Sequence, residues 1–253
     1  MISLSYISSL IDEFVDRYSF RTDIEYRLPA PIASTSAYNK LWSIFIKKIP
    51  SHLHPREICS NAKSVVVFAI PLSRYAVESN KYGRYPSIQW LKEYLYTNRL
   101  ISELVEYISK YLKRLGYYSV GIKPTHEFSR VNLRARWSHR HAGYIAGLGT
   151  FGLNNLLITE MGCAVRLGSI ITEASIEESE KPRYEYCLAK RGVKCTACID
   201  RCPINALSDW TTGRFKCYQW LESIDRRYRL LLGGCVDACG KCSTGVPCAL
   251  KIP

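Results

Sequence analysis

No apolar run in the sequence approaches the roughly 18 residues that a membrane-spanning helix requires. The longest, SVVVFAIPL at 64–72, has the length and β-branching of a buried strand. A helical membrane protein is therefore excluded, and a soluble chain with no membrane partner is expected. The first twenty residues lack the basic start of an export signal, and they carry Asp12, Glu13 and Asp16. Ile7, Leu10, Ile11, Phe14, Val15 and Tyr18 keep to one helical face, so the segment reads as a first core helix and the cytoplasm as the expected compartment. Acidic side chains are scarce as well. Against 35 Lys and Arg stand 22 Asp and Glu, a formal charge of +13 that suits polyanions such as nucleic acid, or simply a basic surface.

Cysteine, by contrast, is plentiful and concentrated: nine of the eleven lie between Cys187 and Cys248. In a reducing compartment, thiols of a chain this size hold metal more often than they form disulfides. The stretch RGVKCTACIDRCPINAL, 191–207, places Cys195, Cys198 and Cys202 at ferredoxin spacing, with Pro203 directly after the last. An iron–sulfur cubane takes four thiolates, and in ferredoxins with two clusters the cysteine before proline ligates the other cluster. Cys187 stands eight residues upstream of Cys195 and closes the first set through a longer loop. The second group is Cys217 in FKCYQWLESI, then Cys235, Cys239, Cys242 and Cys248 in CVDACGKCSTGVPCALKIP.

Crossed ligation assigns Cys187, Cys195, Cys198 and Cys248 to one 4Fe-4S cluster and Cys202, Cys217, Cys239 and Cys242 to another, with Cys235 left over. A pair of zinc sites is the competing reading, but Cys-x-x-Cys-x-x-x-Cys-Pro is not the spacing of paired zinc knuckles. Cys59 and Cys163 stand alone and read as small buried hydrophobes.

Along the chain, a stretch with Pro29, Pro31, Pro50 and Pro55 is expected to be irregular. A strand over 64–72, a helix from Ile88 to Leu115 ended by Gly116, and a strand in YYSVGIKP predict an α/β (α+β) sandwich domain. Asn132 is a candidate cap for a helix running to the glycines at 147 and 149, and NLLITEMGCAVRLGSIIT reads as two strands about a turn near Gly162. The polar IEESEKPR, 176–183, reads as a linker. The expected division is 1–178 for the α/β domain and 179–253 for a C-terminal ferredoxin-like domain with two 4Fe-4S clusters.

The segment WSHRHAGYIAGLGTFGLNNLLITEMGCAVRLGSIITE, followed by the cysteine comb and KCYQWLESI, resembles the epoxyqueuosine reductase family. Gly147, Leu148, Gly149, Gly152 and Asn154 match its AGLG..G.N pattern in order. The resemblance covers roughly residues 60–253. It implies a cobalamin-dependent iron–sulfur reductase in which electrons pass through two clusters to the cobalt of a corrinoid that reduces the substrate, a modified base in tRNA. An electron donor such as ferredoxin or flavodoxin is implied as a partner, and Gly147, Gly149, Gly152 and Asn154 become cofactor-binding candidates. The same glycines also read as a helix cap and a tight turn.

The family's acidic proton donor has no counterpart here, since no Asp or Glu occurs between Arg130 and Thr159. His139 and His141 are the candidate replacements, and because residues two apart on a helix diverge by about 200°, only one is expected to face the site. His139 is the catalytic candidate; a packed, hydrogen-bonded histidine is the structural alternative. Arg130, Arg134, Arg136 and Arg140 form a basic block suited to a phosphate, or one solvated helix face. Two functions remain open: a reductase, and a non-catalytic electron-transfer or corrinoid-reducing partner. The bulk of a 28.9 kDa chain favours the enzyme.

Overall fold

A computed structural model describes residues 2–124, 128–208 and 213–253. Helix α1 (Leu4–Thr22) starts on Ser3, whose hydroxyl accepts the Tyr6 N–H, and buries Ile7, Leu10, Ile11, Val15 and Tyr18, the face read from the sequence. The proline-bearing stretch is more regular than expected. It holds strand β1 (Ile32–Ser36), helix α2 (Lys40–Lys48) and the short α3 (Pro55–Ile58). Pro31 directly precedes β1 and Pro55 occupies the first turn of α3, positions where a missing N–H is harmless.

Strand β2 (Ser64–Pro71) is buried at every position, and α4 (Arg74–Ser79) follows it. Helix α5 (Ile88–Arg114) runs from the Ser87 cap to the turn at Gly116, close to the bounds read from spacing. Next come β3 (Ser119–Ile122), the hairpin of β4 (Phe128–Ser129) and β5 (Arg134–Ala135), and helix α6 (His139–Ala146). The expected helix cap at Asn132 is therefore six residues early, the observed cap position being Ser138. Asn132 instead sits in the hairpin turn, where its side chain accepts the Arg134 N–H at 3.1 Å and Leu133 takes φ 51°. A local side-chain bond of this kind competes with helix nucleation. The short β6 (Thr150–Phe151) pairs with β7 (Leu157–Ile158), and β8 (Val165–Thr172) follows the turn at Gly162.

Four strands form one antiparallel sheet in the order β1-β2-β8-β3. Period-two alternation sends the two faces of β2 into different cores. Val66, Phe68 and Ile70 meet α1 and α5 through Ile11, Val15, Leu104 and Ile108, whereas Val65, Val67 and Ala69 meet Trp42, Trp137, Ala142 and Ile145 beneath α2 and α6. The molecule is thus mixed α/β, with its sheet between two helical layers.

After β8 the described residues hold no strand. They form cysteine-bearing loops, the short α7 (Ala197–Asp200) and the long α8 (Gly213–Leu232). The stretch read as a linker is fastened: Ser179 N–H bonds the Ser34 carbonyl at 2.9 Å, and Glu178 accepts from Thr35 and Ser36 on the edge of β1. The C-terminal segment shares a core with the first part of the chain. Cys187, Cys198, Val236 and Val246 pack in one cluster with Trp90, Leu91, Tyr94 and Leu95 of α5. Backbone bonds from Cys163 to Cys248 and from Ala164 to Ala249, at 2.8 and 3.0 Å, tie the two parts together.

Candidate redox site

Cysteines separated in sequence by tens of residues fall into two groups in space. Cys187, Cys195, Cys198 and Cys248 line a small pocket. Cys202, Cys217, Cys239 and Cys242, together with Cys163, instead line a cleft of about 1030 Å³ that opens to solvent. Local structure explains the partition. Cys198 lies within α7 and Cys202 just beyond its end, so a single turn of helix parts neighbours in the comb. Cys217 projects from α8, and Gly240, at φ 70°, turns the chain between Cys239 and Cys242. Cys235 lines neither space.

The thiols sense one another mainly within each group, although Cys198 also acts on Cys242 across the division. Burial pushes Cys198 up to about 11, helped by Cys248, Cys187 and Cys195. Burial likewise lifts Cys217 to about 11, with Cys239 and Cys202 adding and Arg140 opposing. Cys242 is raised by burial and then by Cys217, Cys239, Cys198 and Cys202. Four thiolates gathered this way repel and are poorly solvated, so they require a positively charged centre before they can all ionise. Two sulfurs already accept hydrogen bonds, Cys202 from the Ala206 N–H at 3.2 Å and Cys239 from the Trp220 indole at 3.4 Å. Among the described residues, no three His, Cys, Asp or Glu side chains are gathered closely enough to hold a single ion. Cys163, isolated in sequence, is buried with its sulfur 3.8 Å from that of Cys248.

The cleft is walled by the hairpin β4–β5, the start of α6, the strand β7 and α8. Its apolar lining includes Leu133, Phe151, Leu156, Leu157, Val165 and Leu167. Its charged lining is of one sign: Arg134, Arg140, Arg166, Lys190, Arg214 and Lys241, with no Asp or Glu among the described residues. Arg166 is held by Asn98 at 2.8 and 3.1 Å, and Lys241 by the carbonyls of Asn80 and Tyr82 at 2.9 and 2.6 Å. Arg140 donates to the Asn155 carbonyl. From the basic block, Arg134 and Arg140 reach the cleft; Arg130 and Arg136 are exposed and precede α6, so Arg136 and Arg140 are not a helical pair.

Both histidines line the cleft, contrary to the expected divergence, because α6 begins at His139 and the cleft wraps its first turn. His139 is nevertheless fully engaged. Its Nδ1 meets the Ser169 hydroxyl at 2.8 Å and its Nε2 the Lys123 carbonyl at 3.2 Å. A carbonyl only accepts, so Nε2 carries the proton and Nδ1 accepts from Ser169. Burial lowers His139 to about 4. This is the arrangement of the packed histidine, and it does not suit the proton donor expected from the sequence. His141 is also lowered to about 4 by burial, meets Ser138 at 2.8 Å and stacks on Phe45 at 4.3 Å.

The four cofactor candidates separate too. Gly152 and Asn154 line both the pocket and the cleft. Asn154 uses its amide on the Cys242 carbonyl at 2.8 Å. Gly147 and Gly149 line neither. Gly147, at φ 91°, caps α6, with Leu148 N–H bonding back to the Gly143 carbonyl at 2.8 Å, and a Cβ on Gly149 would stand 2.0 Å from the Ile158 carbonyl oxygen. For these two the cap and the close backbone approach account for the glycine. Arg166, Tyr218, Trp220 and Lys241 belong to the cleft but were not singled out from the sequence. Trp220 stands inside the quoted KCYQWLESI, and its position three residues after Cys217 on one helix was the available signal.

No protein-family model matches the chain. Curated relatives do: it is 26% identical over 213 residues to an epoxyqueuosine reductase of Lactococcus garvieae, covering 79% of this chain and 56% of that protein. It is 27% identical over 214 residues to one of Bacillus anthracis, covering 79% and 51%. The chain spans about half the length of the curated relatives it matches. Solved structures share the fold. A selenomethionine-labelled epoxyqueuosine reductase superposes with a TM-score of 0.56 at 17% identity, covering 96% of this chain and 66% of that one. One with an epoxyqueuosine-modified tRNA-Tyr stem loop gives 0.56 at 18%, covering 96% and 66%. A reductive dehalogenase, described with a B12-dependent mechanism, gives 0.50 at 15%, covering 69% and 23%. Fold and site define a mixed α/β protein whose cleft is walled on one side by cysteines. Within that class the chain is a divergent relative of the epoxyqueuosine reductases, as its glycine and cysteine motifs imply.

Proposed function

We propose that the chain is an iron–sulfur reductase of the epoxyqueuosine reductase kind. Cys187, Cys195, Cys198 and Cys248 would hold one 4Fe-4S cluster, Cys202, Cys217, Cys239 and Cys242 a second, and the cleft would take a corrinoid and the substrate. The carrying observation is that four cysteines line the pocket and four others, joined by Cys163, line the cleft. The donors suit cubanes: all are thiols, and two accept N–H bonds. The cleft suits a large planar group, since it is apolar along β7 and, at about 1030 Å³, stands at the top of the roughly 300–1,000 Å³ range of ordinary ligand pockets. When bound, the clusters supply one-electron transfer and the corrinoid a strongly reducing cobalt.

The chain's own residues then bind and orient. Arg134, Arg140, Lys190 and Arg214 meet an anionic substrate with a field of one sign. A modified base within tRNA fits that field, and the names of the relatives and the stem-loop complex support it. His139, neutral and bonded at both nitrogens, braces the start of α6 against β8. Phe151 and Leu157 keep water from the apolar side of the cleft. An external one-electron donor such as ferredoxin or flavodoxin completes the scheme. A carrier without substrate chemistry would have little use for a cleft of this size.

The test is anaerobic reconstitution of the full chain with iron, sulfide and hydroxocobalamin, then reduction in the presence of an epoxyqueuosine-bearing tRNA stem loop. About eight irons and about one cobalt per chain, with conversion of the base, are expected. Full iron without cobalt binding would overturn the corrinoid assignment, and full loading without conversion would overturn the substrate.

A further inference from the structure

Trp220 lies on α8 three residues beyond Cys217, so one helix presents both a candidate ligand and an N–H donor to the same cysteine set. Its Nε1 donates to the Cys239 sulfur at 3.4 Å. The ring is locked in that direction. Tyr85 packs against it at 5.0 Å and 34°, the Arg84 guanidinium lies 5.4 Å from its centroid, and Arg227 stands over Tyr85 at 4.7 Å. The same indole lines the cleft beside Cys217, Cys239 and Cys242. A tryptophan whose only task was to fill space would not need its single polar atom aimed at a sulfur.

We infer that Trp220 sets the reduction potential of the cluster-binding set that opens on the cleft, by holding its indole N–H on Cys239. The inference rests on the reading that Cys202, Cys217, Cys239 and Cys242 hold a 4Fe-4S cluster. Reduction adds one electron, and the added negative charge spreads onto the ligand sulfurs. A hydrogen bond to such a sulfur therefore strengthens on reduction and raises the potential. The donor acts on the set at the cleft wall and not on Cys187, Cys195, Cys198 and Cys248. It biases electrons toward the group nearest the substrate. Trp220 is thus a potential-setting residue, and the variant that tests it must keep the ring.

Trp220→Phe keeps an aromatic ring to pack against Tyr85 and Arg84 while removing the N–H. The full chain, anaerobically reconstituted, is titrated electrochemically with both clusters followed by electron paramagnetic resonance. Expected is a shift of about tenfold against reduction of the cluster at the cleft, which for a one-electron couple is about 59 mV, with the other cluster and the iron content unchanged. An unmoved potential at full iron content overturns the inference. Should Trp220→Phe lose iron, the wild-type chain labelled with 15N-indole tryptophan decides. Hyperfine coupling of one indole nitrogen and an exchangeable proton to the reduced cluster supports the inference, and its absence overturns it. A wild-type chain that binds no iron instead overturns the cluster reading on which the inference rests.

Discussion

Strand β2 and the loop 235–248 are both deeply packed, and they are held by different means. In β2 all eight residues are buried, alternate residues enter the two cores, and the backbone is paired on both sides by β1 and β8. In the loop, Lys241, Ser243 and Thr244 are buried beside Val236 and Val246, and polar clasps fasten them. Asn80 donates to the Cys239 carbonyl at 3.0 Å, while Lys241 and Thr244 return bonds to the Asn80 carbonyl at 2.9 and 3.2 Å. Apolar alternation thus fixes the sheet without help from any bound group. The loop has few large apolar side chains, and under the proposed function its thiols would gain further order from the clusters.

The largest effect that could break this contrast is iron removal. Chelation of the reconstituted protein is expected to lower hydrogen-exchange protection across 187–250 by orders of magnitude while β2, β8 and α5 stay protected; uniform loss of protection would show that the sheet depends on the metal as well. Next, Cys195→Ala and Cys202→Ala are each expected to leave about four of about eight irons. The surviving cluster should differ, the set with Cys202 persisting in the first variant and the set with Cys187 in the second, as resolved by electron paramagnetic resonance. Phe68→Ala, in the core between β2 and α5, is expected to cost about 3–5 kcal/mol in denaturant unfolding with iron per folded chain unchanged.

A smaller effect follows from His139. Its folded value near 4 lies below the ordinary 6.5, so the unfolded chain takes up the proton first. The stability it contributes is complete above about pH 6.5 and is lost as pH falls toward 4, by up to about 3 kcal/mol. Thermal unfolding between pH 7 and 4.5 should reveal this decline and a flatter profile for His139→Gln. The smallest effect is that of Cys235→Ser. Cys235 is pushed up to about 11 by burial and by Asp237, and it lies outside both sets, so iron content is expected to stay unchanged.

The sheet half was legible because periodicity reports burial. The apolar face of α1, the run of β2 and the length of α5 could all be read directly, and each matches the observed element. The hairpin before α6 was not, because Asn132 is as good a turn residue as a helix cap and Leu133 gives no warning of its positive φ. In the cysteine segment, spacing distinguished Cys202 from Cys195 and Cys198, and the two spaces in the structure separate them in the same way. The cleft itself was almost invisible. Arg166 and Lys241 come from elements far apart in sequence, and His139 and Gly149 carry the residue types of a site while serving structure.

Iron, acid-labile sulfide and zinc measured together on the anaerobically reconstituted full chain test the central claim most directly. About eight irons and about eight sulfides per chain, without zinc and with broad absorption near 400 nm, are expected for two cubanes. A colourless protein with two zinc ions and no sulfide would contradict the claim.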